Sequence, residues 1–395
     1  MPISKRQSIW TLPEGIDDLL PAEADKLEIC RFNALAHMKN WGYELVYPPI
    51  LEYLDSLLQG MDPELNLSTM KMVDQSTGRT VGVPADITPQ IARIESFMTK
   101  QEISRLCYVG PVLRANSSHY PGSRNPIQIG AELFGHEGPD GDVEIINLLY
   151  DLLKVLRIDE PVIELSDMGL FRNLCCDASI DELAKNEILD ALLRRDLSDL
   201  QQSLTSCEVA SSFRSKFEAL LELNGSLDIL LEAEKLFKGT PRLLDGVFRL
   251  KYVAESLSTI NPMIDIKIDL SELRGYKYHS STSFIVHVEN LGRPLCWGGR
   301  YDYLSPRDGI TRPGTGFSAD LKSLSRVSQL NVGRSHEKIA LAPAVHSGEL
   351  RKLINRLRKD GYIVIQQLPG EDFKHSAQSA TIQMESGSWV LKEMK

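Results

Sequence analysis

Tyr108 to Gly135 reads YVGPVLRANSSHYPGSRNPIQIGAELFG, and this stretch decides the fold. Apolar residues dominate its two ends, while Asn, Ser, Gly and Pro crowd the middle. That pattern predicts two β-strands around a ten-residue loop. Polar residues interrupt the strands: Arg114 at the end of the first, Gln128 and Glu132 on the second. Gln128 and Glu132 are four apart, so they share one face of a period-2 strand, with Gly130 between them leaving room above the sheet. Such a face is the floor of a pocket.

Working outward, Leu20, Ala24, Leu27, Cys30, Ala34, Met38 and Trp41 recur at three- and four-residue steps behind Pro21, which predicts an amphipathic helix over 21–41. Gly42 ends it, and Tyr43–Tyr47 reads as a strand running into Pro48 and Pro49. Thr88 followed by Pro89 reads as a cap and first turn of a helix reaching about Phe97. A further helix is expected over 140–157, and short strands at 162–166, 263–270, 283–289 and 294–298, the last two joined through Glu289–Gly292. A helix is expected near 318–328. Residues from about 171 to 260 carry a helical pattern almost throughout.

Gln329–Ser335 is polar and without period, so it reads as a linker. Beyond it, Lys338–Ala342, Glu349–Asp360 and Tyr362–Gln366 read as strand, helix and strand, with two short strands to close a small α/β domain. The expected division is a core over 1–328, with the helical insertion at about 171–260, and a C-terminal domain over 336–395.

The bulk numbers narrow the class. The chain has 395 residues, 42% of them hydrophobic and 25% charged. That is enough for two domains with sizeable cores. The six cysteines show no CxxC pair or metal-ligand spacing, so neither a disulfide framework nor a metal site is expected. No segment approaches the ~18 uninterrupted apolar residues of a membrane span. These readings place the chain in the cytoplasm, away from membranes. The formal net charge is −10, which counts against a broad tRNA-binding face, because phosphate contacts dominate such affinity.

The frame resembles class II aminoacyl-tRNA synthetases, in their histidyl branch. The 108–135 stretch resembles that family's second signature, and the helix–glycine–strand–proline run before it resembles the first, which implies a homodimer interface. Val83–Thr88 (VPADIT) stands where the family has Leu-Arg-Pro-Glu-Gly-Thr; Leu273–His279 (LRGYKYH) and Trp297–Asp302 (WGGRYD) resemble its two histidine signatures. The resemblance implies an α+β fold: an antiparallel sheet with flanking helices and a helical insertion, plus the small C-terminal α/β domain. It also implies a histidine site. Asp86 and Thr88 would take the ammonium; Arg114, Gln128 and Arg274 would face the carboxylate; Glu132 would accept the imidazole N–H; Tyr278 and Tyr301 would wall the ring. His279 departs from the family, which has a tyrosine there.

The nucleotide half of the family's site is missing. Its glutamate after the arginine is here Asn116, its adenine-stacking phenylalanine is Pro126, its γ-phosphate arginine is Ser323 behind Lys322, and Pro84 replaces a further arginine. Phosphoryl chemistry rests on positioning and charge neutralisation, so losing these clamps loses the rate. A histidine pocket without an ATP site resembles the regulatory subunits of short-form ATP phosphoribosyltransferase. That implies no catalytic residue and no cofactor, histidine as ligand for feedback, and assembly with the short catalytic subunit as a hetero-octamer. The alternatives are a divergent histidyl-tRNA synthetase, an adenylating ligase, or a scaffold binding nothing.

Overall fold

The computed structural model describes residues 11–58, 63–98, 102–115, 123–276, 278–289, 291–304, 311–331, 338–371 and 380–392. Asn116, Asn290 and most of the expected linker lie outside them. The chain divides into two compact units, 1–330 and 331–395.

The first unit opens with α1 (Pro21–Asn40), whose residues Leu27, Cys30, Ala34 and Met38 are buried, as the spacing requires. Gly42 has a φ of 84°, in the left-handed region, and there turns the chain into β1 (Glu44–Val46). Glycine adopts that backbone without steric cost. A small sheet then forms from β2 (Glu52–Tyr53), β3 (Met70–Val73) and β4 (Thr80–Val83), with short helices α2 (Leu54–Leu57) and α3 (Pro63–Ser68) between. Sequence periodicity held no sign of β3 and β4. Next come α4 (Thr88–Phe97), β5 (Ser104–Pro111), β6 (Ile127–Phe134), α5 (Asp140–Val155) and β7 (Val162–Asp167).

The insertion is six helices: α6 (Met168–Asp177), α7 (Glu182–Arg194), α8 (Leu197–Ser206), α9 (Ser211–Glu222), α10 (Ile229–Leu236) and α11 (Pro241–Ile260). One two-residue strand interrupts them, β8 (Asn224–Gly225), pairing antiparallel with β9 (Asp265–Asp269). Then follow β10 (Thr282–His287), β11 (Cys296–Leu304), β12 (Thr311–Asp320) and α12 (Leu321–Val327).

Nine strands make one sheet in the order β1-β5-β6-β12-β11-β10-β7-β9-β8. It is antiparallel from β5 through β7, and parallel only where β1 meets β5 and β7 meets β9. The helix expected from 318 begins instead at Leu321, because Ser318–Asp320 end β12 between β6 and β11. Asp320 caps α12, its carboxylate accepting from the Lys322 amide at 3.1 Å. Such a cap satisfies an amide that the first helical turn leaves without a partner. The core lies between this sheet and α1, α5, α6 and α11, with Phe171, Phe217, Phe284 and Phe317 buried in it.

The second unit has a four-stranded sheet, β14-β13-β15-β16. β13 (Ile339–Ala342) and β14 (Ile363–Gln366) are parallel across α13 (Gly348–Lys359), and β15 (Ala380–Glu385) and β16 (Ser388–Lys392) form the antiparallel edge. Leu350, Leu353, Ile354 and Leu357 bury one face of α13 against it.

Candidate functional site

The sheet register lines up one row of residues across five strands: Glu132 on β6, Gly316 on β12, Gly299 on β11, Ser283 on β10 and Ser166 on β7. The two glycines make a slot beside Glu132. A Cβ on Gly316 would lie 1.8 Å from Glu132 Oε2, so only glycine lets that carboxyl lie across the sheet. The room above Gly130 is filled by the Tyr108 phenol: a Cβ there would meet its oxygen at 2.5 Å.

Glu132 is buried to 1% exposure. Thr88 Oγ1 donates to its Oε1 at 3.1 Å, and the Tyr301 hydroxyl to its Oε2 at 2.8 Å. Burial pushes its carboxyl up to about 8; the two hydroxyls pull the other way, and nearby Asp86 adds to the rise. Burial thus favours the protonated carboxyl in the ligand-free fold. Such a carboxyl can meet an imidazole either as donor or, after handing over its proton, as acceptor.

Thr88 opens α4, but its hydroxyl does not cap the helix as expected. It is turned onto Glu132, and the Asp86 carboxylate accepts from the Thr88 amide at 2.8 Å instead. Gln128 donates to that carboxylate at 3.0 Å and to Ser318 Oγ at 2.7 Å, and its oxygen accepts from the Ile87 amide at 2.9 Å. Expected to face a ligand carboxylate, Gln128 thus lies beneath Asp86 with both ends of its amide engaged by the protein. Its amide holds the Asp86 carboxylate in place.

The Tyr278 and Tyr301 ring centroids stand 5.3 Å apart. His279 packs edge-on to Tyr278 at 5.1 Å, a favoured arrangement for two rings. Burial drives the His279 imidazole down to about 4, so it is neutral. Arg274 is already engaged. Its Nε donates to Glu272 Oε1 at 2.7 Å, and its Nη2 is bonded to Oε2.

A cavity of about 580 Å³ gathers these groups, a volume in the range of small-molecule sites. Asp86, Thr88, Arg114, Glu132, Arg274, Tyr278 and Tyr301 all line it; Gln128 does not. Arg114 lies beyond the end of β5, bridged to Thr69. Sequence reasoning missed Ser318 and Glu272 in the lining, the roof, which α7 supplies through Asn186, Leu189, Asp190 and Leu193, and Tyr108, which lies outside the lining with its hydroxyl 3.3 Å from Thr88 Oγ1. The alternation of β5 held a signal for Tyr108; nothing in the sequence pointed to α7.

At the other end, Pro126 lines the wall without a ring face. Ser323 is buried, donating to Asp320 at 2.7 Å and accepting from Arg293 at 2.8 Å. Lys322 is turned away into an ion pair with Asp17 at 2.9 Å, which Arg326 joins at 3.1 Å. These side chains tie the fold together. Among the described residues, no cluster of His, Cys, Asp and Glu is arranged to hold a metal ion, and no helix is long and apolar enough to cross a membrane.

The profile of the histidyl-tRNA synthetase family matches residues 15–324, and that of the ATP phosphoribosyltransferase subunit HisZ C-terminal domain matches 337–392. An ATP phosphoribosyltransferase regulatory subunit from Alkalilimnicola ehrlichii is 39% identical over 98% of this chain and 97% of its own. One from Hahella chejuensis is 37% identical over 98% and 96%. A Bacillus halodurans structure described as an ATP phosphoribosyltransferase regulatory subunit/histidyl-tRNA synthetase superposes with a TM-score of 0.79 at 24% identity, covering 93% of this chain and 95% of that one. A chain of the Thermotoga maritima HisG:HisZ complex, an ATP phosphoribosyl transferase, gives 0.59 at 17%, covering 77% and 98%. The structural likenesses establish the class II synthetase-like fold. The two relatives, aligned over nearly their whole length, establish more: this chain belongs to the regulatory, not the catalytic, subunits of ATP phosphoribosyltransferase.

Proposed function

We propose that this chain binds histidine in the cavity under α7, and that it assembles with and activates a short-form ATP phosphoribosyltransferase catalytic subunit, conveying histidine feedback to the first step of histidine biosynthesis. The observation that carries the reading is Glu132: a buried carboxyl held between two hydroxyls over a glycine slot, with Asp86 at one end and aromatic rings beside it. Asp86 and Thr88 take the ammonium, Glu132 the imidazole, Tyr278 and Tyr301 wall the ring, and Arg114 and Arg274 supply the carboxylate end. A buried acid left without a ligand costs the free fold, and binding sites commonly carry that cost.

The assembly reading rests on the family and on the surface. β1 is an edge strand with Leu45 exposed on it, and Tyr47, Ile50 and Leu51 are exposed in the segment that follows, the kind of apolar surface a second copy covers in a homodimer. The dimer then joins the catalytic subunit in a hetero-octamer, in the cytoplasm, without tRNA. Calorimetry of the pure chain with L-histidine and with ATP·Mg²⁺, then of its mixture with the catalytic subunit, tests the whole. Expected are histidine binding, no ATP binding to this chain, and co-elution with raised turnover. ATP binding by the pure chain with histidine-dependent pyrophosphate exchange would return it to the synthetases.

A further inference from the structure

Glu272 is 5% exposed, and one neighbour takes most of its bonding capacity. Its Oε1 accepts from the Arg274 amide at 3.1 Å and from Arg274 Nε at 2.7 Å, and its Oε2 is bonded to Arg274 Nη2. The acid is buried behind, while the arginine side chain is 63% exposed and lines the cavity. Arg195 approaches the same Oε2, its Nη2 3.8 Å away and hydrogen-bonded to Asp269. Asp269 cannot turn away, because Ser271 holds its other oxygen through both amide and hydroxyl, at 2.9 and 2.7 Å. Arg195 is the residue that ends α7, in the left-handed conformation with a φ of 55°. Helices commonly terminate on such a residue, and α7 roofs the same cavity.

We propose that Glu272 is the latch of the cavity's carboxylate end: it holds Arg274 when no ligand is bound, and a ligand carboxylate that takes Arg274 passes Glu272 to Arg195, transmitting occupancy to α7 and the helical insertion. The latch rests on the reading above of Arg274 as a partner of histidine's carboxylate. The local balance of charge supports the hand-over. Glu164, Asp269 and Glu272 crowd around Arg195 and Arg274, and burial together with the two neighbouring acids pushes the Glu164 carboxyl up to about 7. When an incoming carboxylate draws on Arg274, Glu272 is largely buried and Arg195 is the cation beside it. A movement of under about 1 Å converts the 3.8 Å approach to a hydrogen-bonded pair. The latch also lowers apparent affinity, since a bound arginine must be released before the ligand can use it.

The test compares L-histidine with L-histidinol, which keeps the imidazole and ammonium and lacks the carboxylate, by calorimetry on the full chain. Glu272→Gln, nearly isosteric, is expected to tighten histidine about tenfold and leave histidinol unchanged. Arg195→Gln leaves Glu272 without that second partner, so histidine should weaken about threefold or more, again with histidinol unchanged. Amide exchange over residues 186–195 should respond to histidine, and not to histidinol, in the unmodified chain alone. If Glu272→Gln moves both ligands equally, or neither, the latch is wrong and the histidine site stands. If the unmodified chain binds neither ligand, both readings fall.

Discussion

The two ends of the cavity treat their charged side chains in opposite ways. Around Glu132 they face the cavity: Asp86 is aimed by Gln128, and Glu132 is seated over glycine. Around α12 they are taken up by the fold. Lys322 and Arg326 both close on Asp17, and Ser323 bridges Asp320 and Arg293. A site that still binds keeps polar groups in reserve at a cost in stability, whereas a site released from binding can use the same positions as internal ties. On the proposed reading, one half of a synthetase-like site persists on a sheet whose other half serves the fold.

The sharpest way to break this contrast is Gly316→Ala. The added methyl would overlap Glu132 Oε2 at 1.8 Å, forcing the carboxyl off Tyr301 and Thr88 and closing the slot. Histidine affinity should fall by more than about a hundredfold, beyond the ~1.5–3 kcal/mol of one charge-assisted bond, since ring seat and partner go together. Calorimetry measures it; affinity within about tenfold of the parent would mean that the slot is not the seat.

Glu132→Gln comes next. It removes the acid and keeps the shape, so histidine should weaken roughly ten- to hundredfold. Stability should move the other way, and with pH. The folded carboxyl, at about 8, lies above its ordinary 4.5, so the protonated form is favoured by folding. That stability is fully present below about pH 4.5 and is lost as pH rises toward 8. Glutamine does not titrate, so the melting temperature of Glu132→Gln should gain on the parent across that window, by the equivalent of about 4 kcal/mol at most. A mutant that melts lower at pH 8 and binds histidine normally would make Glu132 a core residue.

Much of the cavity lining was legible because its polar residues interrupt strand patterns. Glu132 marked a pocket floor, whereas Gln128, on the same strand face, is taken up by Asp86 and Ser318 and does not line the cavity. β12 was not legible. Pro313, Gly314 and Gly316 erase the strand signal, yet those glycines are there because a Cβ would strike the Tyr301 ring at 2.9 Å in one case and Glu132 in the other. Their sequence signature belongs to neighbours across the sheet. Gln128's direction was likewise hidden: alternation gives the face, and only the loop carrying Asp86, crossing above, decides which partner the amide meets. The pairing of Arg274 with Glu272 depends on a turn whose geometry no periodicity encodes.

The smallest expected effect probes the other side of the comparison. Lys322 stands where a nucleotide site would need its charged groups, and its side chain is 4% exposed. Lys322→Met keeps the apolar stem and removes the ammonium from Asp17, which retains Ser123 at 2.6 Å and Arg326. Asp17 is a third exposed, so solvent screening holds the loss to about 1 kcal/mol, nearer a surface pair than a buried one. Against the rise that burial alone would cause, the Ser123 hydroxyl and the two cations hold the Asp17 carboxyl below its ordinary 3.8. Its contribution is therefore present above that value and lost as pH falls through the lower folded one, so the gap in melting temperature between mutant and parent should close in acid. Histidine affinity should stay within about twofold, because no step in the binding half runs through Lys322. If Lys322→Met instead removed a measurable affinity for ATP, the α12 end would still be a ligand site, and the division of the cavity into a binding half and a structural half would fail.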